Sequence, residues 1–342
     1  MPRIPAQKMI DFGTRIFEAA GAPAAVAQHV SASLVKSDLY GVYSHGIGLL
    51  PGYVNRLKAG RINPHAQPTI VKENAWTALI DGQENFGQIV ATYAMHVAIE
   101  KAKANGVASV SVLHSNHIGR IGEYVETAAH HGLIGLAMVN ATHPIVTVYG
   151  GVAHTFGTNP IAFAAPVPNS RPILLDFATS TVAGNKVRVA VNKGVKIPKD
   201  WILDNEGAET DDPRDLFNNG YLLPVAAHKG YGLGLMVEVF AGLLSGTGSA
   251  LHAPARHYNG CFFMALSPDL FRPSEDFLGD LRRLVDELHA VPPRPGVERV
   301  MVAGDPEAVK EADQRANGID LDEASWQTVL DAGQSVGVVY EV

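Results

Sequence analysis

Three short stretches carry side chains that can move or hold a proton, and two of them lie close to glycine. In Tyr43-Ser44-His45-Gly46 an imidazole neighbours a residue that lets the backbone approach a ligand, and such a ring shuttles protons near neutral pH. His114 and His117 stand three apart in HSNHIGRIGEY, a spacing that could serve as half of a metal site, but no nearby Cys/His/carboxylate set completes one. The reading here is no metal. Asp176 ends the apolar run Pro172 to Leu175 and precedes Phe177-Ala178-Thr179-Ser180. A carboxylate there costs free energy unless paired, so it either caps the next turn or orients a reacting group. Lys186 in AGNKV and Lys229 in HKGYG suit a phosphate contact, and equally suit plain solvation. Cys261 opens an apolar strand and reads as core.

Glycine loops narrow the chemistry further. A dinucleotide fingerprint needs G-x-G-x-x-G between a strand and a helix, with an acidic residue about 20 positions on. Gly46-Ile47-Gly48 follows a helix, and Gly230-Tyr231-Gly232-Leu233-Gly234 opens one without the preceding strand turn. No G-x-x-x-x-G-K-[ST] loop is present. A conventional Rossmann or phosphate-loop site is therefore not expected.

The elements that must position these residues alternate between helix and strand. Helices are expected through the first 60 residues, with Pro23 in a first turn and Gly41 and Gly60 as stops. PTIVKE and WTALIDG read as paired strands, GQIVATYAMHVAIEKAKANG as a helix, VASVSVL as a strand, EYVETAAHHG as a helix and LIGLAMVN as a buried strand. IAFAAP and PILLDFA follow as strands, then a looser stretch from 182 to 228. KGYGLGLMVEVFAGLLSG, apolar on nearly all sides, reads as a buried helix. The tail gives strand CFFMALS, helix SEDFLGDLRRLVDELHA, strand ERVMV, and helices from near Asp305 and Asp322.

With 342 residues, 46% of them apolar and only 18% charged, the chain can bury a large interior. That composition excludes disorder, and a net charge of -7 argues against a nucleic-acid surface. One cysteine and the absence of a signal-like start point to a cytoplasmic setting. Residues 127 to 170 lack Asp, Glu, Lys and Arg, but histidines, glycines and prolines interrupt them, so they read as interior and not as a membrane span. The expected architecture is an α/β body with a helical subdomain. Its helical part would comprise 1–65, joined by 205–250 and 305–342; the α/β part would comprise 66–204 with 251–304.

SDLYGVYSHG, RLKAGRINP, LIDGQENFGQ, HSNHIGRIGEY, YGG with FGTNPIAFAAP, LLDFATSTVA, LLPVAAHKGYGL and VAGDPE together resemble the type-2 malate/L-lactate dehydrogenase family, nearly end to end. That family also includes sulfolactate, ureidoglycolate and diketogulonate enzymes and cyclic-imine reductases. The resemblance implies an oxidoreductase using NAD or NADP, with a non-Rossmann mixed β-sheet cofactor domain like that of L-sulfolactate dehydrogenases. It also implies a homodimer with the catalytic cleft near the subunit interface. By it, His45 beside Ser44 carries the proton to and from the substrate, and His117 matches a second histidine used as acid/base in some members. Asp176 holds the histidine or the substrate. Ala141, Thr158, Asn159, Asp176, Phe177, Ala178, Ser180, Lys229 and the turn Gly304-Asp305-Pro306 fall on cofactor-contact positions.

The chain departs from this pattern at three points. Leu49 stands where the family usually has an arginine suited to a substrate carboxylate, a bond typically worth about 1.5–3 kcal/mol. Arg120 is the candidate replacement. Tyr43 replaces a small polar or acidic residue, and Gly184-Asn185 replaces a common arginine-glycine pair. Two other functions stay open: a cyclic-imine reductase, and a dinucleotide-binding protein with little turnover.

Overall fold

The computed structural model describes residues 3–252 and 258–341, so the ends of the expected segments 1–65 and 305–342, and part of 251–304, lie outside the described residues. A seven-stranded mixed sheet forms the centre. It contains β2 (Thr69–Glu73), β3 (Thr77–Asp81), β4 (Val107–Ser115), β5 (Ile134–Ala141), β6 (Ile161–Ala165), β7 (Ile173–Phe177) and β11 (Asn259–Leu266). The order is β2-β3-β4-β11-β5-β6-β7. Only β3 and β4 pair in parallel; the other neighbours are antiparallel. A Rossmann sheet is mostly parallel, so this topology accounts for the missing fingerprint.

Strand β11, from late in the chain, enters the middle of the sheet. Phe263 is opposite Val110 on one side and Ala137 on the other, and Cys261 lies between Val112 and Val139. These side chains are buried, which explains the near-continuous apolar runs of the central strands. Helices α4 (Gly87–Asn105) and α5 (Gly122–His130) pack against β4, β5, β6 and β11. Gly106 ends α4 with a φ of +85°, a conformation that favours glycine.

The N-terminal helices α1 (Ala6–Ala19), α2 (Ala24–Leu39) and α3 (Leu50–Lys58) pack with one another. They meet α9 (Asp305–Asn317) and α10 (Glu323–Gln334), and share a continuous apolar core with the sheet. Short strand β1 (Arg3–Ile4) pairs with β12 (Ile319–Asp320). The stretch 182–228 is more ordered than its sequence suggests. It holds helix α6 (Gly184–Lys193) and a small sheet of β8 (Ile202–Leu203), β9 (Glu209–Thr210) and β10 (Tyr221–Leu222), over a core that includes Val187, Ile202 and Leu222.

Two expectations are corrected. ERVMV is not a strand: this part of the chain runs beside β7 with one backbone bond, Leu174 N–H to Ala303 O at 3.0 Å, too little for a ladder. The apolar segment from Lys229 is helix α7 (His228–Val237) followed by a π-helical turn (Glu238–Leu243). It is not buried on all sides. Val237 and Ala241 pack on the sheet, while Leu235, Met236, Val239, Leu243 and Leu244 face outward. Helix α8 (Ser274–His289) is amphipathic and buries only Val285 fully.

Candidate active site

The His45 turn exists because helix α2 stops at Gly41, whose φ is +76°. Two single 3₁₀ turns follow, Tyr43–His45 and Ile47–Leu49. Asp38, in the last turn of α2, is fully buried, and its Oδ2 accepts the Ile47 N–H at 2.7 Å. Burial pushes its carboxyl up to about 8 against the pull of that bond. A Cβ on residue 46 would stand 1.7 Å from Asp38 Oδ1. Gly46 is thus demanded by space and not by its φ, which is ordinary for any residue at -86°.

His45 lies with its ring nearly parallel to that of His117, centroids 5.6 Å apart and planes 18° apart. Its Nδ1 is 2.9 Å from the Ser44 hydroxyl. The His117 Nδ1 is 2.7 Å from the Tyr53 hydroxyl, which also receives Gln88 Nε2–H at 3.0 Å. Tyr53 comes from α3 and Gln88 from α4, and both are buried. The loop bearing His117 rests on the first turn of α4, where a Cβ at Gly87 would lie 2.3 Å from the His117 carbonyl oxygen.

Both imidazoles are partly accessible yet densely surrounded by protein. Burial and then the Arg120 charge push the proton affinity of His45 down to about 4. Burial, then His45, then Arg56 push that of His117 down to about 3. Both rings are therefore neutral in the unliganded site at neutral pH, and two adjacent cations are disfavoured.

Asp176 is the penultimate residue of β7, and its Oδ2 accepts the N–H of Gly122, the first residue of α5, at 2.8 Å. Burial raises its proton affinity, opposed by Arg120 and the Gly122 N–H. A Cβ at Gly122 would come within 2.6 Å of Arg120 Nη1 and 2.8 Å of Asp176 Oδ2, so the two charges flank that glycine. Arg120 is buried, not a surface residue. Its guanidinium lies 4.5 Å over the Tyr40 ring, with Nη2 3.9 Å from Glu126 Oε2. Arg120 Nε and Nη2 have no hydrogen-bond partner and no solvent contact, so those two nitrogens are closed to a substrate carboxylate in this conformation.

The other expected residues divide by what their polar groups do. Ala141 N–H donates to Asn159 Oδ1 at 3.1 Å, and Asn159 Nδ2 donates to Glu238 Oε1 at 2.7 Å and to Gly234 O at 3.2 Å. Asn159 is buried with a φ of +38°, so its side chain braces β5 against the α7 region. Ser180 is buried with its hydroxyl donating to Val182 O at 2.9 Å. Phe177 packs beside Ile161 and Val237. Thr158 and Ala178 are half-buried, and the Thr158 carbonyl accepts the Thr179 N–H at 2.9 Å. Lys229 is exposed in the first turn of α7. Gly304, Asp305 and Pro306 begin α9 beside β7, where the Asp305 carboxylate accepts the Val302 N–H at 2.8 Å and pairs with His289.

Leu49 lines a cavity of about 600 Å³ with Val42, Tyr43, Ser44, Asn185 and Arg188. Asn185 Nδ2 donates to the Ser44 carbonyl at 3.2 Å, tying α6 to the His45 turn. His114 points elsewhere and pairs with Asp81 at 3.0 Å. Sequence reasoning missed Asp38, Tyr53, Gln88 and Glu238. Asp38 stood inside the quoted SDLYGVYSHG motif and Gln88 at the end of the quoted LIDGQENFGQ motif, whereas Tyr53 carried no local signal, since it looks like one more helix residue.

Residues 4–330 match the family described as malate/L-lactate dehydrogenase. A malate dehydrogenase of Pyrococcus abyssi is 40% identical over 314 residues, 89% of this chain and 86% of the relative. The structure of sulfolactate dehydrogenase from Methanocaldococcus jannaschii superposes with a TM-score of 0.91 at 32% identity, covering 99% of this chain and 98% of the other. That of delta1-piperideine-2-carboxylate reductase from Pseudomonas syringae gives 0.86 at 30% identity, covering 97% and 100%.

Proposed function

Because the chain belongs to the malate/L-lactate dehydrogenase family, and so is a hydroxyacid dehydrogenase, we propose that it moves a hydride between a nicotinamide cofactor and C2 of a small 2-oxo or 2-hydroxy acid. In this reading His45 carries the proton. The observation that supports it is the pair of stacked, neutral imidazoles, with the Arg120 charge acting on His45 and the Arg56 charge on His117. In the oxidative direction a neutral ring accepts the hydroxyl proton as C2 loses hydride. In the reductive direction the protonated ring returns it.

A bound NAD or NADP would supply or take up the hydride. The exposed first turn of α7 fits such a group. Lys229 has no carboxylate partner among the described residues, and nothing lies within 4 Å of the place a Cβ on Gly232 would take. A phosphate is held by such a point charge together with helix N-terminal N–H groups. Thr158, Phe177, Ala178 and the turn at 304–306 belong to the same proposed surface. Asn159 and Ser180 would act through the backbone they brace.

A homodimer is part of the same proposal. The outward row Leu235, Met236, Val239, Leu243 and Leu244 is an apolar face that a second copy would cover. Among the described residues no helix is long and apolar enough to cross a membrane.

One observation favours a second reading. Leu49 makes the wall beside Ser44 apolar where an arginine would grip a simple carboxylate, which suits a cyclic imine as well as a keto acid. Following NADH and NADPH absorbance with a panel of 2-oxo acids and cyclic imines tests both. Turnover of 2-oxo acids is expected. Turnover of imines alone would replace the first reading with the second, and silence with all of them would leave a binding protein.

A further inference from the structure

We infer that His117 serves as a neutral hydrogen-bond donor to the substrate oxygen, held in that role by Tyr53 and Gln88, and is not the residue that exchanges the proton. The inference rests on the reading that reaction occurs beside His45. It goes beyond it by assigning the two histidines different tasks.

Gln88 fixes the direction of the hydrogen bonds at Tyr53. Its Nε2–H donates to the Tyr53 oxygen, so that oxygen is already occupied as an acceptor. Tyr53 keeps its own proton, because burial pushes the phenol up to about 12 despite Gln88 and Arg56. Having one O–H and one remaining polar neighbour, it donates to His117 Nδ1 at 2.7 Å. An Nδ1 that accepts has its lone pair in use. In a neutral imidazole the proton must then be on Nε2.

That tautomer decides the chemistry. Nε2–H cannot act as a base, and surrendering its only proton would leave an imidazolate. It can donate a hydrogen bond to an oxygen on which negative charge develops, which is the use of a preorganised neutral donor. His45 differs. Its Nδ1 meets only the Ser44 hydroxyl, which can either donate or accept, so both tautomers and the cation are open to it. Stacking at 5.6 Å allows one cation in the pair, and the ring less locked by neighbours takes it.

¹⁵N NMR of the whole protein with labelled histidines, without cofactor, reads the tautomer directly. His117 is expected to show a protonated Nε2 and an unprotonated Nδ1 at pH 7, and Y53F is expected to convert this to a mixture. A protonated Nδ1 in the wild type would overturn the inference, as would an unchanged His117 signal in Y53F. Kinetics supply a separate check. H117Q, which keeps an N–H donor, should retain about a tenth of kcat, and H45Q should lose about a thousandfold. Should H45Q turn over normally, the proton assignment to His45 fails while the NMR result still stands for His117. Should H117Q be as inactive as H45Q, the division of labour fails.

Discussion

The two histidines of the cleft are fixed by opposite means. His45 is held through its backbone: Asp38 grips the next turn at Ile47, and the space it fills permits only glycine at 46, while the ring itself meets one hydroxyl. His117 is held through its ring, by a phenol from α3 that is itself oriented by an amide from α4. The contrast teaches which ring can change protonation state during turnover. A ring whose nitrogen is committed to a buried donor is a fixed dipole. A ring on a rigid turn with a loosely committed nitrogen is the one that, under the proposed function, can carry the proton.

The largest expected effect comes from deleting that carrier. His45→Ala should lower kcat by about a thousandfold with a much smaller change in KM, measured with the best substrate of the panel. A loss below tenfold would collapse the contrast. Next is the backbone anchor: Gly46→Ala must displace the His45 turn or Asp38, and a misplacement near 1 Å costs on the order of a hundredfold in kcat. Wild-type kcat in a soluble, folded variant would show that the turn has slack.

A smaller effect, of opposite sign, concerns the wall beside Ser44. Leu49→Arg should raise kcat/KM for small 2-oxo carboxylates about tenfold, because a charge-assisted bond is worth about 1.5–3 kcal/mol. No gain would mean that the carboxylate is held elsewhere or is absent from the substrate. The smallest effect is on stability. Asp38 retains its proton to about 8 when folded, against 3.8 as its ordinary value. Between these the folded chain binds a proton that the unfolded chain has released, so stability falls as pH rises through that window. Asp38→Asn should flatten this part of the profile, measured as Tm from pH 4.5 to 8.5. An unchanged slope would mean that the carboxyl is ionised in the fold.

The same two regions show how far the sequence could be read. Ser44, His45 and Gly46 were conspicuous because titratable and hydroxyl groups with glycine neighbours stand out in a line of text, and Asp176 was conspicuous as a charge ending an apolar strand. Most helices and strands were also readable, since their periodicity is local. The roles of Tyr53 and Gln88 were not, because Tyr53 meets a histidine 64 residues away and Gln88 donates to that phenol from 35 residues away, and no local pattern marks such meetings. The α7 segment was misread for a related reason. An all-round apolar pattern does not say which of its faces this chain itself will cover.

By itself, then, the sequence determined the element types, the absence of a conventional nucleotide loop and a short set of reactive side chains, all properties of neighbouring residues. Tertiary structure alone decided that β11 enters the centre of the sheet, that Arg120 lies buried between Tyr40, Glu126 and Asp176, and that one imidazole is locked while its neighbour is free. Each of these depends on desolvation and hydrogen-bond geometry among residues far apart in the chain. Burial sets the cost of a charge and a single donor fixes a tautomer, and neither exists until the chain has folded.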